Sequence, residues 1–341
     1  MIGTALLLGT LLAGVQQHDT IPLFASLEPV ELSLVADFRA IRSDRGDPPE
    51  ERPAFVVLDA DVRGDTVEAQ LRARGDFRRD PGMCAFPPLR LNLKKKQTVG
   101  TDFEGQDKLK LVVPCRPTLD LFEQYVLTEY TIYRMYRLIT DLSFQVRLAR
   151  ITFVDRNGEA EPFTRHAFFI EDDDALAARL GGEKLEIPEG NHVRVGYLDA
   201  HQATLLAVFE YMIGNTDWAD DAVHNVELFL AQGALRPVPY DFDFAGLVDA
   251  RYAIPDPGLG IRTVRERLYR GWCWPDLDLT EILRPFLEGR EAITALVSET
   301  PGMSEDRRRD ALAYLDGFWE AIETPERAQR RMFRDCRALP G

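Results

Sequence analysis

The stretch TLDLFEQYVLTEYTIYRMYRLIT, residues 118–140, constrains the fold more than any other part of the chain. At 100° per residue its apolar and aromatic side chains gather on one broad face, so the spacing predicts a long helix built into a core. Phe122, Val126 and Tyr133 fall on one side of Glu129, and Tyr125, Ile132 and Tyr136 on the other. That places a carboxylate in the middle of the aromatic face, where leaving it unpaired costs several kcal/mol or forces protonation. Either a neighbouring tyrosine or arginine satisfies Glu129 structurally, or it belongs to a working site.

Around this helix the pattern changes period. VELSLVADFRAI (30–41), AFVVLDADVR (54–63) and DTVEAQLRARG (65–75) alternate apolar and polar residues, as do PPLRLNLKKK (87–96) and DKLKLVVPC (107–115). Alternation of this kind predicts strands, and together they predict a mostly antiparallel sheet. Residues 144–172 read as a hairpin turning at Asn157-Gly158. An acidic run then starts a short helix, and DAHQATLLAVFEYMIG (199–214) is a second strong helix stopped by Gly214. A further hairpin covers 224–244, and from about 262 onward the chain reads as helical. The expected class is α+β with two lobes: a sheet-rich lobe over 28–172 that includes the long helix, and a helix-rich lobe over 173–341.

The first seventeen residues, MIGTALLLGTLLAGVQQ, are too few to span a bilayer, which needs about 20 apolar residues. They fit the apolar core of a secretion signal with small residues at a cleavage point, although no Lys or Arg precedes the run and Val15 stands where a lipoprotein would need Cys. No stable membrane span is expected. Four cysteines and no C-x-x-C fit two disulfides in an oxidising compartment rather than zinc. Of the three possible connectivities, 84–115 with 273–336 is the expected one. Export to the periplasm, envelope or exterior follows from both features.

A net charge of −15 argues against nucleic acid as a partner, since phosphate-backbone binding needs a basic surface. Yet the ten Lys and Arg between Arg72 and Lys110 outnumber the five acids there. Such a segment suits a compact anion like a nucleotide phosphate, or serves only to keep strand edges soluble.

The acids concentrate elsewhere. GNTDWADDAVHNVELF (214–229) and PYDFDFAG (239–246) bring Asp217, Asp220, Asp221, Asp241 and Asp243 near one His224-Asn225 pair. Phosphoryl transfer from ATP needs a basic residue for the phosphates, a Glu to hold it, a carboxylate near the acceptor hydroxyl, and an Asn and an Asp for Mg²⁺. Candidates occur in that order: Lys108 or Lys110, Glu129, Asp217, Asn225 and Asp241. Oxygen ligands of this kind suit Mg²⁺ or Mn²⁺.

GNTDW…HN…PYDFD resembles the catalytic half of the CotH-like spore-coat kinases and, more distantly, HipA-type kinases. RARGDFRR…FPPLRLNLKKK looks like the CotH pattern in which an Arg-Gly turn precedes a basic strand and a long helix. The resemblance covers roughly residues 65–250 and implies a bilobal protein-kinase-like fold. It implies Asp217 as catalytic base, Asn225 and Asp241 as metal ligands with Asp243 as a second candidate, and Lys110 held by Glu129. Lys108, Lys110, Arg90, Gly75 and Glu171 are the candidates for nucleotide contacts, with ATP and Mg²⁺ (or Mn²⁺) as cofactors. The acceptor is a hydroxyl on a protein, such as Ser/Thr of an envelope protein, or on a small molecule. Typical kinases separate base and Asn by five residues, as Asp220 and Asn225 are, so Asp220 stays open as the base. No G-x-G-x-x-G loop is present. His224 is either a structural hydrogen-bonder or a participant. Two other readings stay open: a noncatalytic binding protein of the same fold, and a metal-dependent phosphohydrolase.

Overall fold

The computed structural model describes residues 21–58, 66–75, 77–188 and 190–340. The expected secretion signal and residues 59–63 of the second expected strand lie outside the described residues. After a short helix α1 (Pro22–Ala25), β1 (Val30–Ala36) ends earlier than the alternation suggests. Asp37 caps a helix there, its Oδ1 accepting the Ala40 N–H at 2.8 Å, and α2 (Phe38–Ser43) follows. β2 (Arg52–Leu58), β3 (Thr66–Ala73), β4 (Leu89–Leu93) and β5 (Lys108–Val112) complete the first run of strands. The long helix α3 spans Asp120–Ile139, and β6 (Val146–Asp155) with β7 (Phe163–Ile170) form the expected hairpin.

The seven strands close into a barrel in the order β1-β2-β3-β4-β5-β7-β6. Every pair is antiparallel except the closing one, in which β1 runs parallel to β6 from Val30 beside Ala149 to Ala36 beside Asp155. This overturns the expected bilobal kinase-like fold with an antiparallel-sheet lobe. Alternation marks which side chains face inward, but it does not encode which strand lies next. Here the hairpin after α3 returns to the sheet, bonding β7 to β5 and β6 to β1, and so leaves no open edge. Leu32, Leu34, Val56, Leu71, Leu91, Leu109 and Ile151 fill the interior.

The long helix shares its core with the helices that follow the barrel. α4 (Asp173–Arg179), β8 (Gly182–Lys184) and α5 (Ala200–Ile213) follow the barrel. β9 (Val226–Ala231) and β10 (Ala234–Pro239) pair with β8 in a small sheet ordered β10-β9-β8. Three helices end the chain: α6 (Leu279–Glu299), α7 (Glu305–Ala321) and α8 (Pro325–Arg331). α3 is buried almost all round, between the outer face of β6 and β7 and helix α6. Its Leu127, Tyr133 and Met135 share one apolar core with Phe209 of α5, Phe286 of α6 and Phe318 of α7. So the helix that carries Glu129 ties the barrel to the helical part.

Cys84–Cys115 and Cys273–Cys336 both form disulfides, as expected, which fits an oxidising compartment. No helix among the described residues is long and apolar enough to cross a membrane. The Cys84–Cys115 bridge closes a loop with a sequence separation of 31. Replacing both cysteines by serine should lower unfolding free energy by about 2–4 kcal/mol. Urea unfolding of the variant checks this, and an unchanged midpoint would rule the bridge out as a stabiliser.

Candidate functional site

The site is built on three pieces of chain: the loop after α5, the mouth of the β9–β10 hairpin, and the turn after β3. Gly214 ends α5 in the left-handed conformation at φ 69°. A Cβ there would lie 1.9 Å from the Tyr314 hydroxyl oxygen, so only glycine fits. Asn215 follows, and its Oδ1 accepts the Asp217 N–H at 3.0 Å, which fixes where Asp217 leaves the loop.

Both oxygens of Asp217 are engaged. His224 Nε2 lies 2.9 Å from Oδ1, and Asn225 Nδ2 donates to Oδ2 at 3.1 Å and to the Asp217 carbonyl at 2.7 Å. Reciprocal N–H···O=C bonds between Ala219 and His224, each 2.9 Å, fold the intervening loop back on itself. That fold-back lets a residue eight positions before Asn225 reach it. Asp220, the residue at five-residue spacing, points away. Its fully buried carboxylate receives Trp272 Nε1 at 3.0 Å and Arg337 at 3.2 Å. Asp221 faces Arg337 at 3.6 Å. Of the two open candidates, the geometry leaves Asp217 beside Asn225.

The hairpin brings Asn225 and Asp241 together. Val226 pairs with Pro239, and the Tyr240 N–H donates to the Asn225 carbonyl at 3.0 Å. Asn225 and Asp241 both hold left-handed backbone, at φ 52° and 59°. Such conformations cost of order 1–3 kcal/mol in a non-glycine residue and gather where surrounding contacts fix them. For Asp241 one such contact is Tyr133 of α3, whose hydroxyl oxygen accepts the Asp241 N–H at 2.9 Å.

Beneath this mouth lies a buried charge cluster. Arg78 reaches Asp241 Oδ1 at 2.7 Å and Asp243 Oδ2 at 3.4 Å, and Tyr252 donates its hydroxyl to Asp243 at 3.0 Å. Burial pushes the Asp243 carboxyl up to about 7, against the opposing pull of Arg78. Burial acts on Asp241 too, but Arg78 and Arg74 outweigh it and hold that carboxyl below its ordinary value. Glu129 is 2% exposed, with Arg78 and Arg74 as its nearest opposite charges and its Oε1 without a partner. Burial raises its carboxyl well above the usual range.

Not all expected residues converge here. No lysine lies within ion-pairing distance of Glu129 among the described residues. Lys110 instead meets Asp173 at 2.6 Å, its Nζ 5.4 Å from the ring centroids of Phe144 and Tyr240. Asp173 also binds Lys184 at 2.9 Å, and Lys184 reaches Glu227 at 3.0 Å. Arg90 faces Asp172 at 3.4 Å, and Lys108 is exposed on the same strand as Lys110. Glu171 sits apart, fully buried and forked onto Arg179 at 3.0 and 2.8 Å. Gly75, at φ 74°, makes the turn between β3 and the segment bearing Arg78.

Arg74, Arg78, Tyr133 and Tyr252 complete the site and were not singled out from the sequence. The basic character of RARGDFRR was visible, but a contact spanning 163 residues, as between Arg78 and Asp241, leaves no local pattern. In comparisons with known proteins, no family model and no curated protein matches the chain.

Asn225 turns its amide nitrogen to Asp217, and among the described residues its side-chain oxygen accepts no hydrogen bond. Two hard oxygens on neighbouring strand ends fit a Mg²⁺ or Mn²⁺ ion, which takes one or two protein ligands and fills its remaining positions with phosphate oxygens and water. Among the described residues no three His, Cys, Asp or Glu side chains form a metal cage of their own. A nucleotide-borne ion needs no such cage.

Proposed function

We propose that the protein is an exported phosphotransferase that uses ATP with Mg²⁺ or Mn²⁺ and acts on a hydroxyl acceptor such as Ser/Thr of a protein. The observation that carries this reading is the convergence of Asp217, Asn225 and Asp241 from two separate segments. The likeness of GNTDW…HN…PYDFD to CotH-type kinases adds support from the motif, and the reading rests on the site rather than on a shared fold. Asn225 and Asp241 would hold the ion, which when bound neutralises charge on the phosphates. Asp217 is 40% exposed in its side chain and stands at the outer side of the site, where an acceptor hydroxyl can approach. It takes the hydroxyl proton as the acceptor oxygen bonds to the terminal phosphorus. The bond from that phosphorus to the bridging oxygen breaks, and ADP leaves. Arg78 and Tyr133 keep Asp241 in place beneath.

A thermal-shift titration tests the reading. At a hundredfold excess over Kd, ATP with Mg²⁺ should stabilise the folded state by about 2.7 kcal/mol. Asp241→Asn should remove that shift. Absence of any shift in the unaltered protein at millimolar nucleotide would sink the proposal, and transfer of labelled terminal phosphate to protein would extend it.

A further inference from the structure

The outer face of the barrel beside the site carries a row of cations that local packing does not explain. Arg72 of β3 lies directly across from Arg90 of β4, and Arg90 directly across from Lys110 of β5. Like charges placed opposite one another on adjacent strands destabilise a sheet. Adjacent strands are about 4.8 Å apart, so the row spans roughly 10 Å. Arg74 lies two residues beyond Arg72, on the same side of the strand, and this end of the row approaches Asp241.

Their partners differ along the row. Lys110 is tied to Asp173 and Arg90 loosely to Asp172. Among the described residues, Arg72 and Arg74 form no ion pair. Among the described residues, the one side-chain hydrogen bond of Arg72 goes to the Ala73 carbonyl at 3.5 Å and Arg74 donates none, its Nε being buried without a partner there. Glu51, the acid nearest Arg72, takes the Asn92 amide at 3.2 Å instead. A half-buried guanidinium without an acceptor loses hydration and gains no compensating bond, so it favours an anion brought to it.

The geometry points to Arg72, Arg74 and Arg90 as a cradle for a chain of phosphates, running along the barrel face and ending at Asp241. This assignment deepens the proposed phosphotransferase reading and rests on it for the identity of the ligand as a nucleoside triphosphate. It keeps Arg90 of β4 among the expected phosphate contacts and puts Arg72 of β3 and Arg74 just after it in place of the lysines of β5. Planar guanidinium groups suit phosphate oxygens through paired hydrogen bonds. A row this short, in a chain of net charge −15, fits a di- or triphosphate and not a nucleic-acid backbone.

Inorganic tripolyphosphate without divalent metal is the probe, with binding read by calorimetry on the full chain. The unaltered protein should bind it, and Arg72→Gln/Arg74→Gln should weaken binding by roughly tenfold or more for each arginine removed. Asp241→Asn should keep or tighten it, because that change removes a nearby negative charge. Arg72→Gln alone, at a half-exposed position, should be as stable as the parent or more so, since it relieves repulsion from Arg90; loss of stability would mean that Arg72 is structural and would overturn the assignment. No tripolyphosphate binding by the parent, or equal binding by the double variant, also overturns it. Binding that the arginine variants lose, in a protein showing no response to ATP with Mg²⁺, keeps the anion site and discards the phosphotransferase reading.

Discussion

Replacing Arg78 by methionine should destabilise the fold by about 3–5 kcal/mol at pH 8, because removing one partner of a buried ion pair leaves the other charge uncompensated. Methionine keeps much of the side-chain length, so the loss is of charge more than of volume. Arg78 faces Asp241 and Asp243 directly, with Glu129 close by; Asp243 and Glu129 are buried, and Asp241 is partly exposed. The pH dependence follows from signs. Asp243 titrates at about 7 in the folded protein against an ordinary 3.8, so between those values the folded state holds a proton that the unfolded state releases. Its contribution therefore falls as pH rises from about 4 to about 7 and is level above. Asp241 is held below its ordinary value and contributes the opposite way, its stabilisation present above that value and lost as pH falls through the folded one. Without Arg78 both carboxyls shift upward and take up protons more readily. The deficit of the variant should then be largest at pH 8 and shrink at pH 5.5. Urea unfolding at the two pH values measures it. A variant as stable as the parent at pH 8 would show that Arg78 is not the cation holding the cluster.

That dependence on one arginine marks the boundary of what the sequence discloses. The helix at Asp120–Ile139 and its inward Glu129 were legible, because 3.6-residue periodicity is local and twenty residues long. Both hairpins were legible for similar reasons, as was the approach of Asn225 to Asp241 across one of them, while the disulfide pairing was one choice among three that spacing does not decide. The barrel was not. Closing it requires β1 and β6 to run side by side, and both strands show the same alternation whatever their neighbours. Lys110 stands between the inward Leu109 and Leu111, yet nothing local shows that Asp173 meets it there. The same limit applied to Asp220. Its five-residue spacing to Asn225 suited a base, whereas its burial depends on Trp272, 52 residues on, and Arg337, 117 residues on.

Asp217→Asn should lower phosphate transfer from ATP by about 10²–10⁴-fold, the range for loss of a positioned general base. The amide keeps the size of the side chain, so nucleotide binding in the thermal-shift titration should persist. A rate unchanged by this substitution removes Asp217 from the chemistry. His224 permits a check that needs no turnover. The hydrogen bond that the ring donates to Asp217, ahead of a smaller opposing effect of burial, raises the imidazole above its ordinary 6.5. In the metal-free protein, an NMR titration should therefore find His224 above that value, and Asp217→Asn should bring it back down. The sign is that of a histidine gaining a partner: the pairing adds stability below its unfolded value and loses it as pH rises through the folded one. With 59% of its side chain exposed, His224 contributes little to stability, so the titration and not the unfolding curve is the sensitive readout. His224→Gln separates the two roles open to the ring. If the imidazole only orients Asp217, glutamine can donate the same hydrogen bond and the rate should fall modestly, far less than in Asp217→Asn. A loss as large as that of Asp217→Asn would instead make His224 the group that takes the proton, with Asp217 holding it in place.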